Sequence, residues 1–534
     1  MSGSDDMGYA QIAHQIASGQ YTPAPHHFSN RLGLLFPTAL FYQIFEVTPW
    51  STILLPVITS LLSITVLYAV VVSFASVHAG LIAAMLLAFN PLQLGEVSYL
   101  SADSVLSAGY LLGVASIHFG RNATHARRWA IIAGAALFWA FTVKLTVIGI
   151  IPFLLIVMFY DLRKRQHGLF WRAFITTGVT LLFIYLAAYA VATGNPLFRF
   201  QGISEVLQDS SYVTYSTEGL INRFTIEPVM SILSHTGLGL VLIICWPALG
   251  ALFFLKNLRQ GPWLFWFGAG ISYLLFYWFG STSLSNYEPL PVYARMMLPA
   301  LPYFILMGVW SWTHMIKSRT EPCGRWIGLL VISVPLVSGL MFLLLAQMEL
   351  NKRDLFFATG ALSIPLLLMV WQWVQARRSV QSQGLKPWQI STIMVVIWAF
   401  IPFFNLQSGS IAHPAYYHGF KQLTADKIKP QKQTVEIVTD RRSKQLINFY
   451  LGFDQHPVVV VKKWDEVTDI HQCVPQKRWL LRNEILMTSL HKAYKDPLPE
   501  EALTPPKSRW RLLEKREGMA LYEQACRPET PSQM

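Results

Sequence analysis

Eight residues in this chain combine a reactive type with a shared placement: Asp5, Asp6, Tyr9, Arg31, Asp103, Lys144, Tyr293 and Arg295 all fall on one side of a series of apolar runs. A carboxylate at a membrane interface can act as general base on an acceptor hydroxyl. Arginine and lysine can hold a phosphate leaving group and offset its charge. Together they suit transfer from a phospholipid-linked donor. Plainer readings stand beside this one. Asp5 and Asp6 can be solvated acids or can cap the helix that follows them. Lys144 and Arg295 can snorkel to the headgroups from the ends of spans, and Arg31 can simply mark the outer end of a helix. His26 and His27 are adjacent, as helical metal ligands usually are not, which favours a solvated turn. Trp50, Trp129, Trp263 and Trp388 fit an interfacial aromatic belt.

The elements that must position these residues follow from composition. Of 534 residues, 53% are hydrophobic and only 13% charged, too few charges to cover a soluble protein of this length. Runs of about 20 apolar residues, enough to cross a 30 Å hydrocarbon core, predict an α-helical polytopic membrane protein with about twelve transmembrane helices. They lie at 51–74, 79–97, 101–119, 128–143, 145–160, 170–192, 236–255, 262–280, 296–316, 326–348, 354–375 and 388–406. Arg121, Arg127 and Arg128 precede the fourth run and Arg163, Lys164 and Arg165 follow the fifth, so the positive-inside rule puts both clusters in the cytoplasm. Two crossings are then needed, with a hairpin tip near Lys144.

The same rule places both termini outside. Residues 1–50 read as an outer juxtamembrane loop, with short amphipathic helices at 6–18 and 33–47, and residues 51–406 as the transmembrane domain. After Gln407 the apolar runs stop, and residues 407–534 read as a soluble extracytoplasmic α/β domain, with strands expected in TVEIVTD, PVVVVKKW, RWLLRNE, WRLLEKR and MALYEQA. Cys473 and Cys526 are the two cysteines of that domain and form a candidate disulfide if it faces an oxidising compartment. The other two, Cys245 and Cys323, fall in a span and a cytoplasmic loop.

SDDMGYAQIAHQIASGQY followed by FSNRLGLLFPTALFY resembles the first outer loop of the GT-C glycosyltransferases, in the branch of protein O-mannosyltransferases and lipid A aminoarabinose transferases. LIAAMLLAFNPLQLGEVSYLSADSVLSAGYLLG, FWAFTVKLTVIGIIPFLL and PVYARMMLPALPYFILM resemble later segments of that family in the same order. The resemblance implies that Asp5 is the catalytic base and that Asp103 organises the acceptor or a metal. Asp6 stands where the family more often has glutamate. It also implies thirteen spans, so a first helix ahead of residue 1 is expected.

The expected activity is an inverting glycosyl transfer from a polyprenyl-phosphate-linked sugar to a cell-envelope glycolipid, polysaccharide or protein at the outer face of a bacterial inner membrane. Arg31, Lys144 and Arg295 would serve the phosphate, and Tyr9 and Tyr293 the sugar. A divalent metal is left open as cofactor. The partners are the lipid-linked sugar, the bilayer and the acceptor, with no nucleic acid. The alternatives are a secondary transporter, against which the spans carry few ionisable residues, and a non-catalytic envelope assembly protein.

Overall fold

The computed structural model describes residues 5–201, 263–281, 293–317, 414–467, 477–483 and 510–525, apart from positions 27, 122, 454–455 and 517–518, together with single residues between 224 and 290. The chain divides into two compact units. One comprises Met1–Tyr21, Thr38–Thr52 and Gly409–Met534; the other comprises Thr22–Pro37 and Ile53–Ser408.

Helices α1 (Asp5–Ala17), α2 (Leu32–Phe45) and α3 (Pro49–Phe74) open the chain. In the larger unit α4 (Val77–Ala88) and α5 (Pro91–Val97) follow. Their boundary is a sequence-coded break: Asn90 Oδ1 accepts from the Leu92 N–H at 2.9 Å, and Pro91 opens the next helix, which needs no N–H there. The two helices meet at 57°. Next come α6 (Ala102–Arg121), α7 (Ala126–Val143), α8 (Ile151–Arg163) and α9 (Gly168–Thr193), then α10 (Trp263–Phe279) and α11 (Leu301–Lys317).

Three segments among the described residues are long and apolar enough to cross a membrane: α3, α9, and Leu145–Arg163, which contains α8. A fourth is counted if α4 and α5 form one broken span. Of the twelve expected crossings, the runs at 326–348, 354–375 and 388–406 lie outside the described residues, as does all but a few positions of 236–255. Exposed Ile156, Phe159, Val179, Phe183, Ile184 and Val191 give α8 and α9 apolar outer faces of the kind lipid tails cover.

By contrast, α6 is buried nearly throughout, because glycines let its neighbours approach. A methyl group at Gly113 would meet Leu137 at 2.6 Å, and one at Gly109 would meet the Ala136 carbonyl at 3.1 Å, so α7 packs directly on this glycine face. At one end of these helices Asp161 of α8 is fully buried. Its carboxylate accepts from Arg121 Nε of α6 at 2.7 Å and from Trp171 Nε1 of α9 at 2.8 Å, so one satisfied buried charge ties three helices together.

In the smaller unit a five-stranded sheet is built from β1 (Val435–Thr439), β2 (Val459–Lys463), β3 (Lys477–Asn483), β4 (Trp510–Arg516) and β5 (Met519–Gln524). The spatial order is β2-β1-β3-β5-β4, with β1 parallel to β2 and β3 and with β5 antiparallel to β3 and β4. All five strands fall where the sequence patterns expect them. Between β1 and β2 lies α12 (Arg441–Tyr450), capped by Asp440, whose Oδ1 accepts from the Arg442 and Ser443 N–H groups at 2.9 Å. Its apolar face carries Leu446, Ile447 and Phe449. Helix α1 packs against α12, with the rings of His14 and Phe453 stacked 5.6 Å apart. Buried Met7, Ala10 and Ala13 follow the helical period. Across the sheet, buried Glu436 sits 3.3 Å from both Arg478 and Lys462, joining the three parallel strands. Cys473 and Cys526 lie outside the described residues, so the candidate disulfide does too.

Candidate active site

Lys144 lies where α7 ends. Its backbone is extended, at φ −152° and ψ 132°, and a 3-10 turn over Leu145–Ile150 follows before α8 begins. The hairpin tip expected near Lys144 is therefore a break in the helical run, and it carries the lysine back toward α6. Lys144 Nζ donates to Asp103 Oδ1 at 2.6 Å, with both side chains about nine-tenths buried. Burial works against the charged amine. Asp103, and after it Tyr277, more than offsets this, and the lysine pKa stands above its ordinary value.

Asp103 occupies the first turn of α6, where negative charge is favoured. Its N–H donates to Ser101 Oγ at 3.2 Å, and Ser101 Oγ in turn donates to Glu96, which also accepts from the Tyr99 hydroxyl. A continuous chain, Glu96–Ser101–Asp103–Lys144, thus runs from α5 to the end of α7. Glu96 is 5% exposed. The Tyr99 hydroxyl is pushed well above its ordinary pKa, by burial first and by Glu96 second. Arg295, on a 3-10 turn over Ala294–Ala300 that packs on α5, α6 and α10, lies within electrostatic reach of Glu96 and Tyr99.

Arg31 is brought to the same end of α7 by its neighbours. Trp139 Nε1 donates to the Gly33 carbonyl at 3.0 Å, and a methyl group at Gly33 would collide with Thr142 and come within 2.9 Å of Val143. Asn30 donates to the Ala24 and His26 carbonyls at 3.0 Å and accepts from the Tyr189 hydroxyl at 2.9 Å. Arg31 then lies within electrostatic reach of Lys144.

Of the residues singled out in the sequence, Arg31, Asp103, Lys144 and Arg295 are gathered in the larger unit. Tyr293 is also there but 40% exposed, as the residue before the 3-10 turn, and no described contact ties its ring to the cluster. Asp5, Asp6 and Tyr9 belong to the smaller unit, in the first turns of α1, with Asp6 and Tyr9 buried. Tyr42 and Tyr450 lie within electrostatic reach of Asp6, and both hydroxyls have raised pKa values, through burial first. A cavity of about 430 Å³ in this unit is lined by His14, Tyr42, Gln43, Glu46, Lys429 and Tyr450 among others.

Two residues escaped the sequence reading. Glu96 was absorbed into an apolar run, although an acid inside such a run is itself a signal of function. Arg199, buried and hydrogen-bonded to Tyr185, lies outside every apolar run, where the sequence gives no sign of its burial. Among the described residues no group of three or more His, Cys, Asp or Glu side chains is arranged to hold a metal ion.

Residues 32–191 match the family profile described as dolichyl-phosphate-mannose-protein mannosyltransferase. No curated protein matches the chain significantly. Among solved structures, ArnT from Cupriavidus metallidurans in the apo state aligns with a TM-score of 0.58 at 16% identity, covering 98% of this chain and 94% of that one. The same protein bound to undecaprenyl phosphate aligns with a TM-score of 0.58 at 15% identity, over the same shares of the two chains. A fainter likeness, at a TM-score of 0.46 and 11% identity, links 85% of this chain to 59% of an oligosaccharyltransferase from Archaeoglobus fulgidus. Residues 32–191 are thus similar to that mannosyltransferase family, and the fold along 98% of the chain is similar to that of ArnT.

Proposed function

We propose that this protein transfers a sugar from a polyprenyl-phosphate donor to a hydroxyl or amine of a cell-envelope glycolipid, polysaccharide or protein, at the extracytoplasmic face of a bacterial inner membrane. The observation that carries the reading is the buried Lys144–Asp103 pair, linked to Glu96 and accompanied by Arg31 and Arg295, at a break between helical runs. Ionisable groups are costly to bury in apolar surroundings and are concentrated at functional sites. The similar proteins support a polyisoprenyl phosphate as the ligand: one match is to the dolichyl-phosphate-mannose-protein mannosyltransferase family and the other to a protein bound to undecaprenyl phosphate.

In the proposed reaction the acceptor oxygen or nitrogen attacks the anomeric carbon from the face opposite the phosphate and inverts it. The bond from that carbon to the phosphate oxygen breaks, and its electron pair stays on the phosphate. Asp5 takes the acceptor proton, a role resting on the acidic-pair motif. Lys144, Arg31 and Arg295 offset the charge of the departing phosphate, where fixed cations act more strongly than in water. Asp103 and Glu96 hold Lys144 and Arg295 in place, while Tyr9 and Tyr293 shape the sugar site. Mass spectrometry of envelope glycolipids and glycoproteins with and without the gene tests the reading. The expected result is loss of one glycosylated species with build-up of its lipid-linked donor, and an unchanged glycome would overturn it.

A further inference from the structure

The cavity of the smaller unit has no part in the phosphate chemistry above, and its walls have a character of their own. Its volume of about 430 Å³ falls within the range of about 300–1,000 Å³ usual for small-molecule sites. Three helices end on it: α1 at Ala17, α2 with Tyr42 and Gln43 in its last turn, and α12 at Tyr450. Glu46, just past the end of α2, and Lys429 complete the wall used here. The helix ends are tied together. Gln43 Nε2 donates to the Ala17 carbonyl at 3.3 Å, and the Tyr42 hydroxyl is hydrogen-bonded to Thr52 Oγ1 at 2.9 Å. Tyr42 is buried and Tyr450 half-buried, while Gln43, Glu46 and Lys429 are exposed.

A helix carries roughly half a unit of negative charge at its carboxyl end. Three such ends around one cavity, with the Glu46 carboxylate beside them, disfavour an anion, and Lys429 offsets only part of that field. A hydrocarbon tail would lie against an amide, a carboxylate and an ammonium. A hydroxyl-rich ring is the better match: the Tyr450 ring offers a flat apolar face to its C–H groups, and Gln43, Glu46 and Lys429 supply both acceptors and donors for its hydroxyls. Glu46 adds a second sign. It stands in the left-handed region at φ 60°, which glycine adopts freely and glutamate does not. Ser51 Oγ holds the turn, donating to the Glu46 carbonyl at 2.7 Å and accepting from the Thr48 N–H at 3.0 Å. Backbone strain of this kind gathers at binding sites.

We propose that this cavity binds an uncharged saccharide portion of the acceptor, with Tyr450 against the sugar ring and Gln43, Glu46 and Lys429 hydrogen-bonded to its hydroxyls. The inference rests on the proposed function and narrows it, because the acceptor is then a glycolipid or polysaccharide and not a bare protein. The cavity also adjoins the acidic pair within the same unit: Tyr42 and Tyr450, both in its wall, lie within electrostatic reach of Asp6, the neighbour of the proposed base Asp5. A glycan seated there is anchored on the unit that carries the base. Its binding energy is spent on holding the acceptor, so its loss should fall on the acceptor KM and leave the donor KM alone.

The test uses the full-length protein in liposomes, with lipid-linked sugars and acceptors extracted from cell envelopes. Uncharged oligosaccharides released from the glycan-bearing acceptors by mild acid should compete with the acceptor, and not with the donor, in wild type. Glu46→Gly removes the carboxylate and suits the left-handed backbone, so it should melt at the same temperature or higher. It should raise the acceptor KM about tenfold, the cost of about one hydrogen bond, and weaken the competition equally, with the donor KM within about twofold of wild type. Glu46→Gln keeps a hydrogen-bonding group and should stay within about threefold. Transfer that the oligosaccharides do not inhibit, or a folded Glu46→Gly with an unchanged acceptor KM, overturns the saccharide site and leaves the donor reading standing. Equal losses in Glu46→Gln and Glu46→Gly would mean that charge is read, which overturns an uncharged ligand. If wild type transfers sugar to no envelope acceptor, the proposed function itself is wrong.

Discussion

Lys144 Nζ and Asp103 Oδ1 lie 2.6 Å apart although 41 residues separate them in the chain, and both side chains are about nine-tenths buried. Removing either partner leaves the other as an uncompensated charge in a poorly hydrated setting. Lys144→Ala and Asp103→Ala should each cost about 3–5 kcal/mol of stability, and the double variant clearly less than the sum. Melting of the detergent-purified variants checks this. An additive cycle would mean the two groups are not energetically coupled.

Asp161 provides the contrasting case, since its partners Arg121 and Trp171 belong to the helix clamp and not to the candidate site. Asp161→Asn should lower stability by about 3 kcal/mol through the unpaired Arg121. The turnover of the protein that remains folded should be unchanged. Activity measured per active molecule separates the outcomes, and a large fall in turnover would give the clamp a functional role.

The sheet domain should respond to acid. A hydrogen bond from Lys444, and then the Lys463 N–H, holds the Glu466 pKa below its ordinary 4.5, and a hydrogen bond from Lys427 does the same for Glu514. A carboxylate depressed in the folded state contributes stability above its unfolded pKa and loses it as pH falls through the folded value. Melting temperatures should therefore be steady from neutral pH to about 4.5 and decline below it. Glu514→Gln should make that decline shallower. The same slope in the variant would remove Glu514 as a contributor.

How much of this could be read in the sequence differs from residue to residue. The break at Lys144 was legible because a charge in the middle of an apolar stretch between two basic clusters requires one. The strands of the terminal domain were legible from their runs of β-branched and aromatic residues, and the start of α12 from the aspartate at its cap. Glu96 carries its own signal, since Asn90-Pro91 ends one helix and begins another just before it. The seat of Arg199 was not legible. It depends on rings at positions 141, 185 and 189, which only the packing of α7 on α9 brings together. The Glu436–Arg478 contact was hidden in the same way, because β1 and β3 are neighbours through strand order and not through sequence.

In the proposed reaction this protein cleaves a sugar from a polyprenyl phosphate with the Asp5 carboxylate as base. This is tested most directly by reconstituting wild type and Asp5→Asn in liposomes with lipid-linked sugars and acceptors extracted from cell envelopes, and by measuring released polyprenyl phosphate by mass spectrometry. Wild type should release polyprenyl phosphate in step with sugar appearing on an acceptor. Asp5→Asn, which removes the proton acceptor at nearly constant volume, should be slower by about 10²–10⁴-fold while melting at the same temperature. Near-normal release by a folded Asp5→Asn would remove the proposed base, and the absence of any release by wild type with donor and acceptor both present would contradict the account as a whole.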